Sequence, residues 1–252
     1  MFTPKALLII CPLVFLAGLL DSIAGGGALI SIPAYLIAGV PIHSAIATNK
    51  LSASFGAAIS LTRFMKNKLV NLKLGIPSIA FAILGSALGA NLSMRMDGSV
   101  MVKAMYIILP LAAFVVLNKK VFHDHPEREL TADFRTFTVV MSVAFVIGVY
   151  DGFFGPGAGT FSIICLNIFG KMNIANANAQ TKLINMVTTL TALIVFLMNA
   201  QVLIPLGILA GLCNILGSYI GSGLVITGGS RITKMAMILV LVLLAVKIAG
   251  VY

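Results

Sequence analysis

Long apolar runs with almost no charge follow one another along the whole chain, and they decide what it can fold into. A helix needs about 20 apolar residues to cross the hydrocarbon core of a bilayer. The runs are continuous, without the strict alternation of a membrane β-barrel strand, so the spanning elements are helices. Composition agrees. Residues of the AVILMFWYC set make up 60% of the 252 residues and charged residues only 10%, where a soluble domain carries about 25% charged residues. Mean hydropathy is +1.09. Neither a soluble globule nor a disordered chain can have these values. The reading is an all-α polytopic membrane protein in the lipid bilayer.

The chain also repeats itself. Gly18-Leu19-Leu20-Asp21 followed by Gly25-Gly26-Gly27-Ala28 returns at an offset of 130 as Gly148-Val149-Tyr150-Asp151 and Gly155-Pro156-Gly157-Ala158. After a slip the offset is 132, and Ala47-Thr48-Asn49-Lys50-Leu51 meets Ala179-Gln180-Thr181-Lys182-Leu183. At that offset Gly75, Gly85 and Gly89 meet Gly207, Gly217 and Gly221. This predicts two homologous repeats, 1–118 and 134–252, joined by a polar cytoplasmic linker at 119–133. The first twenty residues, with Lys5 ahead of an apolar run and small residues near Ala24, read like a signal peptide, but their counterpart in mid-chain predicts that they are retained.

Each repeat holds five apolar segments: 6–22, 28–42, 45–65, 72–94 and 99–118, then 134–152, 157–172, 176–199, 201–226 and 231–250. The second segment of each repeat is short and is set off from the first by glycines. Counting each short segment as a crossing gives inverted repeats; fusing it with its predecessor gives four crossings per repeat and parallel repeats. Lys and Arg divide 11 inside to 4 outside in the inverted arrangement and 10 to 5 in the parallel one, so the positive-inside rule barely separates them. Inverted repeats are common in transporters built on broken helices, and that arrangement is the expectation here.

Ionisable groups at membrane depth are costly and mark function. Four stand out: Asp21, Lys50, Asp151 and Lys182, one Asp and one Lys per repeat. Each Asp precedes a glycine cluster (Gly25, Gly26, Gly27; Gly155, Gly157) too poor in helix propensity to be helix interior. Unwound backbone there, with a helix restarting behind it, offers free N–H groups and a positive dipole end to an anion. Lys50 and Lys182 can supply its countercharge. Asn49 and Thr181, with Thr48, Ser52, Ser54, Gln180 and Asn185, can complete the hydrogen-bonding shell. Asp21 and Asp151 are the candidate coupling or gating groups, because a carboxylate can take up a proton and release its lysine. The competing reading is structural, each Lys neutralising the Asp of its own half. The pairs Gly85/Gly89 and Gly217/Gly221 read as close helix packing.

The paired patterns Asp21-x3-Gly-Gly-Gly-Ala-Leu-Ile-x2-Pro33 with Ala47-Thr48-Asn49-Lys50, and Gly152-Phe153-Phe154-Gly155-Pro156-Gly157-Ala158-Gly159-Thr160-Phe161 with Gln180-Thr181-Lys182, resemble the TauE/SafE-type sulfite exporter family over essentially the whole chain. The resemblance implies a transporter of bacterial inner-membrane type, with a sulfur oxyanion or organosulfonate such as sulfite or sulfoacetate as the small anionic substrate. Ala28 stands where many relatives have a further Gly.

The function expected is a secondary transporter of a small anion, with proton coupling open and no cofactor. No nucleotide-binding phosphate loop points to a primary pump. A passive anion channel stays as an alternative. An intramembrane enzyme is the weaker one, since His43 is the sole His outside the linker and no hydrolase motif occurs. His123 and His125 in the mixed-charge linker read as solvated surface, and Cys11, Cys165 and Cys213 as small apolar residues. Scattered basic residues predict no nucleic-acid partner. Homo-oligomer formation stays open.

Overall fold

A computed structural model describes residues 4–100 and 133–248, with side chains of the last helix described as far as Ala236. The fifth expected segment at 99–118 and the linker with its two histidines fall almost wholly outside the described residues. Eight helices are complete among these residues: α1 (Pro4–Ala24), α2 (Ala28–Ile37), α3 (Ile42–Lys66), α4 (Leu72–Arg95), α5 (Phe134–Phe153), α6 (Ala158–Ile168), α7 (Ile174–Met198) and α8 (Ile204–Ile248). Five of them, α1, α4, α5, α7 and the first part of α8, are long and apolar enough to cross a membrane. α8 joins the last two expected segments and kinks between them at Gly229, whose φ of 56° and ψ of −145° are outside the helical region.

Polarity is turned inside out relative to a soluble protein. Thr48, Asn49, Lys50, Ser52 and Ser60 of α3 are buried, as are Asn178, Gln180, Thr181, Lys182 and Thr188 of α7. Leu8, Ile76, Leu88, Val146, Ile194 and Leu216 face outward. An apolar exterior around polar packed helices suits lipid as the solvent. The inward polar stripe keeps α3 out of the apolar spans, although its 25 residues measure about 37 Å, more than the core thickness.

Close approaches fix the helix directions. Gly217 lies against the Phe15 carbonyl and Gly221 against that of Leu19, so α8 runs alongside α1 in the same sense. Leu51 meets Gly207, Phe55 meets Gly211, and Arg63 donates to the Tyr219 carbonyl, so α3 runs with α8 as well. Gly85 against the Phe145 carbonyl and Gly89 against that of Val149 align α4 with α5. Ser86 donating to the Thr188 carbonyl and Gly75 against Leu183 align α4 with α7. The two sets oppose each other: Ser44 at the start of α3 bonds Gln201 beyond α7, while Asn71 beyond α3 bonds Gln180 near the start of α7. Glycine at these crossings removes the Cβ that would strike a backbone carbonyl, letting helices touch along their backbones.

The two short helices are returns. α2 and α6, with 10 and 11 residues, are about 15 and 16 Å long, half the core thickness. Val40 and Ala45, just beyond α2, pack with Ala6 and Ile10 of α1, so α2 brings the chain back to the level where α1 began. Arg63, Lys66, Lys68 and Lys73 gather at the end where α3 meets α4. Lys171, before α7, shares that end with the Gly229 kink and its Arg231 and Lys234, because Ser230 bonds the Ala175 amide and Ile232 packs with Phe64. Arg135, at the start of α5, is at the same end as the start of α4.

Candidate functional site

Both glycine clusters are breaks in the helices. Gly25 (φ 73°), Gly155 (φ 99°) and Gly157 (φ 81°) occupy the left-handed region that an L side chain rarely adopts. Tyr150 pins the second break by donating to the Pro156 carbonyl at 2.6 Å. The breaks touch each other. A Cβ on Gly25 would lie 2.5 Å from the Gly159 carbonyl carbon, one on Gly159 would lie 2.6 Å from the Gly25 Cα, and Thr160 donates to the Ala24 carbonyl at 2.7 Å. Only glycine at both positions lets α1–α2 and α5–α6 meet in this way.

Around that contact the four intramembrane charges form two ion pairs. Lys50 Nζ is 2.8 Å from Asp151 Oδ1 and donates to the Asp151 carbonyl at 2.6 Å. Lys182 Nζ is 2.6 Å from Asp21 Oδ2. The competing reading, in which each Lys neutralises the Asp of its own half, is therefore corrected: both pairs cross between the halves. The abutment of the two breaks explains why, since it carries each Asp past its own half to the lysine of the other. Remaining lone pairs are served as well, with Thr188 donating to Asp151 Oδ2 at 2.6 Å and the Gly27 amide to Asp21 Oδ1 at 3.4 Å. Two cations and two carboxylates sum to zero, and each charge has a partner, which is the condition for burying them.

The pairs differ in access. Lys182 is fully enclosed behind Asp21, whose side chain is 19% exposed. Lys50 and Asp151 instead line a polar cavity together with Asp21, Gly25, Gly27, Asn49, Gly155 and Gly159. Ser31, Asn185, Thr189 and Asn214 complete its polar lining, and its volume is about 30 Å³.

Of the residues singled out from sequence, Asp21, Asp151, Lys50, Asn49, Asn185, Gly25, Gly27 and Gly155 reach this cavity. Gly26 and Gly157 do not line it; they shape the breaks, Gly26 accepting from the Leu29 amide and Gly157 preceding α6 in its left-handed turn. Thr181 is bonded to Ser162 at 3.0 Å and lines a smaller neighbouring cavity beside Asp151. Four of the polar shell candidates are engaged elsewhere. Thr48 accepts from the Leu203 amide, Ser52 accepts from Tyr35, Ser54 donates to the Leu51 carbonyl, and Gln180 accepts from the Asn71 amide. A helix turns about 100° per residue, so Thr48 and Ser52, each two places from Lys50, point to another face of α3. The lining residues missed from sequence, Ser31, Thr189 and Asn214, come from three different helices. Thr189 was legible as two turns beyond Lys182 on one face.

The sequence model described as Sulfite exporter TauE/SafE matches residues 10–248. The chain belongs to this family. Several relatives match over most of their length. A probable membrane transporter protein of Sinorhizobium sp. is 34% identical over 93% of this chain and 88% of its own. One from Haemophilus influenzae is 32% identical over 92% and 90%. The probable membrane transporter protein YfcA of Escherichia coli is 30% identical over 98% and 91%. No solved structure matches the chain. This TauE/SafE protein is thus a multi-pass membrane transporter, and the crossed ion pairs are at its centre.

Proposed function

We propose that the chain is a secondary transporter of a small anion, a sulfur oxyanion or organosulfonate, held in the cavity between two inverted repeats. The observation that carries this reading is the crossed pairing of Lys50 with Asp151 and Lys182 with Asp21. An anion arriving at Lys50 competes with Asp151 for the same ammonium. A proton taken up on Asp151 removes the competing charge and leaves Lys50 to the anion. Because each pair spans the two halves, loosening one while the other holds lets the halves rock about the Gly25–Gly159 contact. That is the motion alternating access requires.

Inversion has its own support. α1, α3 and α8 run against α4, α5 and α7, so the first, third and fourth helices of one half oppose their sequence counterparts in the other. Turns correspond as well, with positive φ at Gly39 and Lys171 and at Lys68 and Ala200, both pairs at the 132-residue offset. The end rich in Lys and Arg is assigned to the cytoplasm by the positive-inside rule.

Counterflow in proteoliposomes tests the transport reading. Sulfite loaded inside is expected to accelerate uptake of labelled sulfite from outside. Uptake indifferent to the internal anion would mean a passive channel instead.

A further inference from the structure

Three asparagines line the cavity, and in each a neighbouring hydroxyl takes the amide oxygen. Ser31 donates to Asn49 Oδ1 at 2.5 Å, Thr189 to Asn185 Oδ1 at 3.3 Å, and Ser218 to Asn214 Oδ1 at 3.1 Å. An amide has one acceptor end and one donor end. With the acceptor end of all three engaged, the –NH₂ ends are what the residues offer to the cavity they line. Asn214 is held there by shape too. Gly18 and Gly56 leave room for it, since a Cβ on Gly18 would fall 2.9 Å from Asn214 Oδ1 and one on Gly56 would collide with the same atom.

The sequence repeat supplies an internal control. At the 132-residue offset Asn185, Thr189 and Asn214 correspond to Ala53, Ala57 and Ala82. Ala53 and Ala57 line the same cavity, and Ala82 is fully buried. Helices in corresponding positions therefore do without polar side chains here, and helix packing alone does not call for the amides. They come from α7 and α8, while Lys50 and Asn49 come from α3.

We infer that Asn49, Asn185 and Asn214 form a donor cage that selects an oxyanion, and that Ser31, Thr189 and Ser218 are positioning residues that hold each amide oxygen away from the ligand. The inference rests on the cavity being the anion site and goes beyond it by assigning selectivity. Lys50 supplies charge to any anion. The cage supplies directed N–H groups that match several acceptor oxygens and gain little from a spherical halide. A halide accepts hydrogen bonds at a single centre, so donors placed for several oxygens are left partly unpaired around it.

The test measures equilibrium binding of labelled sulfite to the full-length purified protein, with sulfate and chloride as competitors. Asn185→Asp and Asn214→Asp keep the side-chain shape and turn a donor into a like charge. Each is expected to weaken sulfite binding by about twentyfold or more, as losing a charge-assisted bond and adding repulsion implies. Thr189→Val keeps the amide and removes only the bond that aims it, and Ser218→Ala removes that bond together with a contact to the Gly18 carbonyl at 3.2 Å. Those are expected to cost sulfite about fivefold and to change chloride competition less than about twofold, the scale of one neutral hydrogen bond. Should the Asp variants fail to fold, the hydroxyl variants decide. Sulfite affinity within twofold of wild type in Thr189→Val and Ser218→Ala, while Lys50→Ala abolishes binding, overturns the cage and leaves the anion site standing. Unchanged binding in Lys50→Ala removes the site itself. A wild-type protein that binds chloride and neither oxyanion overturns the cage as well.

Discussion

Lys50 Nζ contacts both the Oδ1 carboxylate oxygen and the backbone carbonyl of Asp151, at 2.8 and 2.6 Å, from a helix that is 101 residues away in sequence. The carbonyl contact matters because Asp151 is in the last turn of α5, where carbonyls have no partner within the helix. One ammonium therefore closes the helix end and neutralises the carboxylate. Lys50→Ala leaves both unanswered, and removing one partner of a buried pair costs about 3–5 kcal/mol. The expected outcome is a large fall in melting temperature and loss of sulfite binding. Lys66→Ala, at an exposed helix end, is expected to shift either within about 1 kcal/mol. Sulfite affinity within threefold of wild type in Lys50→Ala would move the site elsewhere.

Asp21 is the more accessible of the two carboxylates. Asp21→Asn keeps its shape and an acceptor oxygen for Lys182 but carries no titrating proton. If the aspartates couple transport to protons, Asp21→Asn and Asp151→Asn proteins fold and bind sulfite, and their uptake into liposomes ceases to respond to an imposed pH gradient. Uptake with the pH response intact in both variants would make the carboxylates purely structural.

How much of this was legible in the sequence differs between elements. The apolar runs located every described helix to within a few residues, apart from ends such as that of α2 at Ile37 instead of 42, because membrane helices are written in composition. Asp21, Lys50, Asp151 and Lys182 were legible as isolated charges in apolar surroundings. Their pairing was not. Which Lys meets which Asp depends on two backbones touching at Gly25 and Gly159, a long-range contact that no local pattern encodes. Asn214 was hidden for a related reason: its seat is made by the absence of side chains at Gly18 and Gly56, on two other helices.

That contact makes a sharp prediction about glycine. Gly159→Ala inserts a methyl group 2.6 Å from the Gly25 Cα and 2.7 Å from its carbonyl oxygen, and backbone cannot step aside as a flexible side chain can. Overpacking of this kind costs about 1–3 kcal/mol or more. Gly39→Ala meets nothing within 4 Å but sits at φ 83°, so its strain is of order 1 kcal/mol. Thermal unfolding of detergent-solubilised protein should rank Gly159→Ala well below Gly39→Ala, with transport lost in the first and kept in the second. Equal stability of the two would mean that the breaks are not in contact in the membrane.

The turn after α3, at Asn67 and Lys68, and the turn after α7, at Asn199 and Ala200, have the same backbone signature, a residue with positive φ two places beyond the helix. In parallel repeats the two turns would share one face of the membrane. In the helix directions described above they are at opposite ends, since Gln201 beyond α7 bonds Ser44 at the start of α3 and Asn71 beyond α3 bonds Gln180 near the start of α7. The positive-inside rule then assigns Asn67, amid Arg63, Lys66, Lys68 and Lys73, to the cytoplasm and Asn199 to the opposite face. Single cysteines at 67 and 199, in a protein whose Cys11, Cys165 and Cys213 are replaced by alanine, can be labelled in intact cells with a membrane-impermeant maleimide. Residue 199 is expected to react in intact cells and residue 67 only after the membrane is opened. Both reacting from the same side would rule out inversion and restore the parallel arrangement.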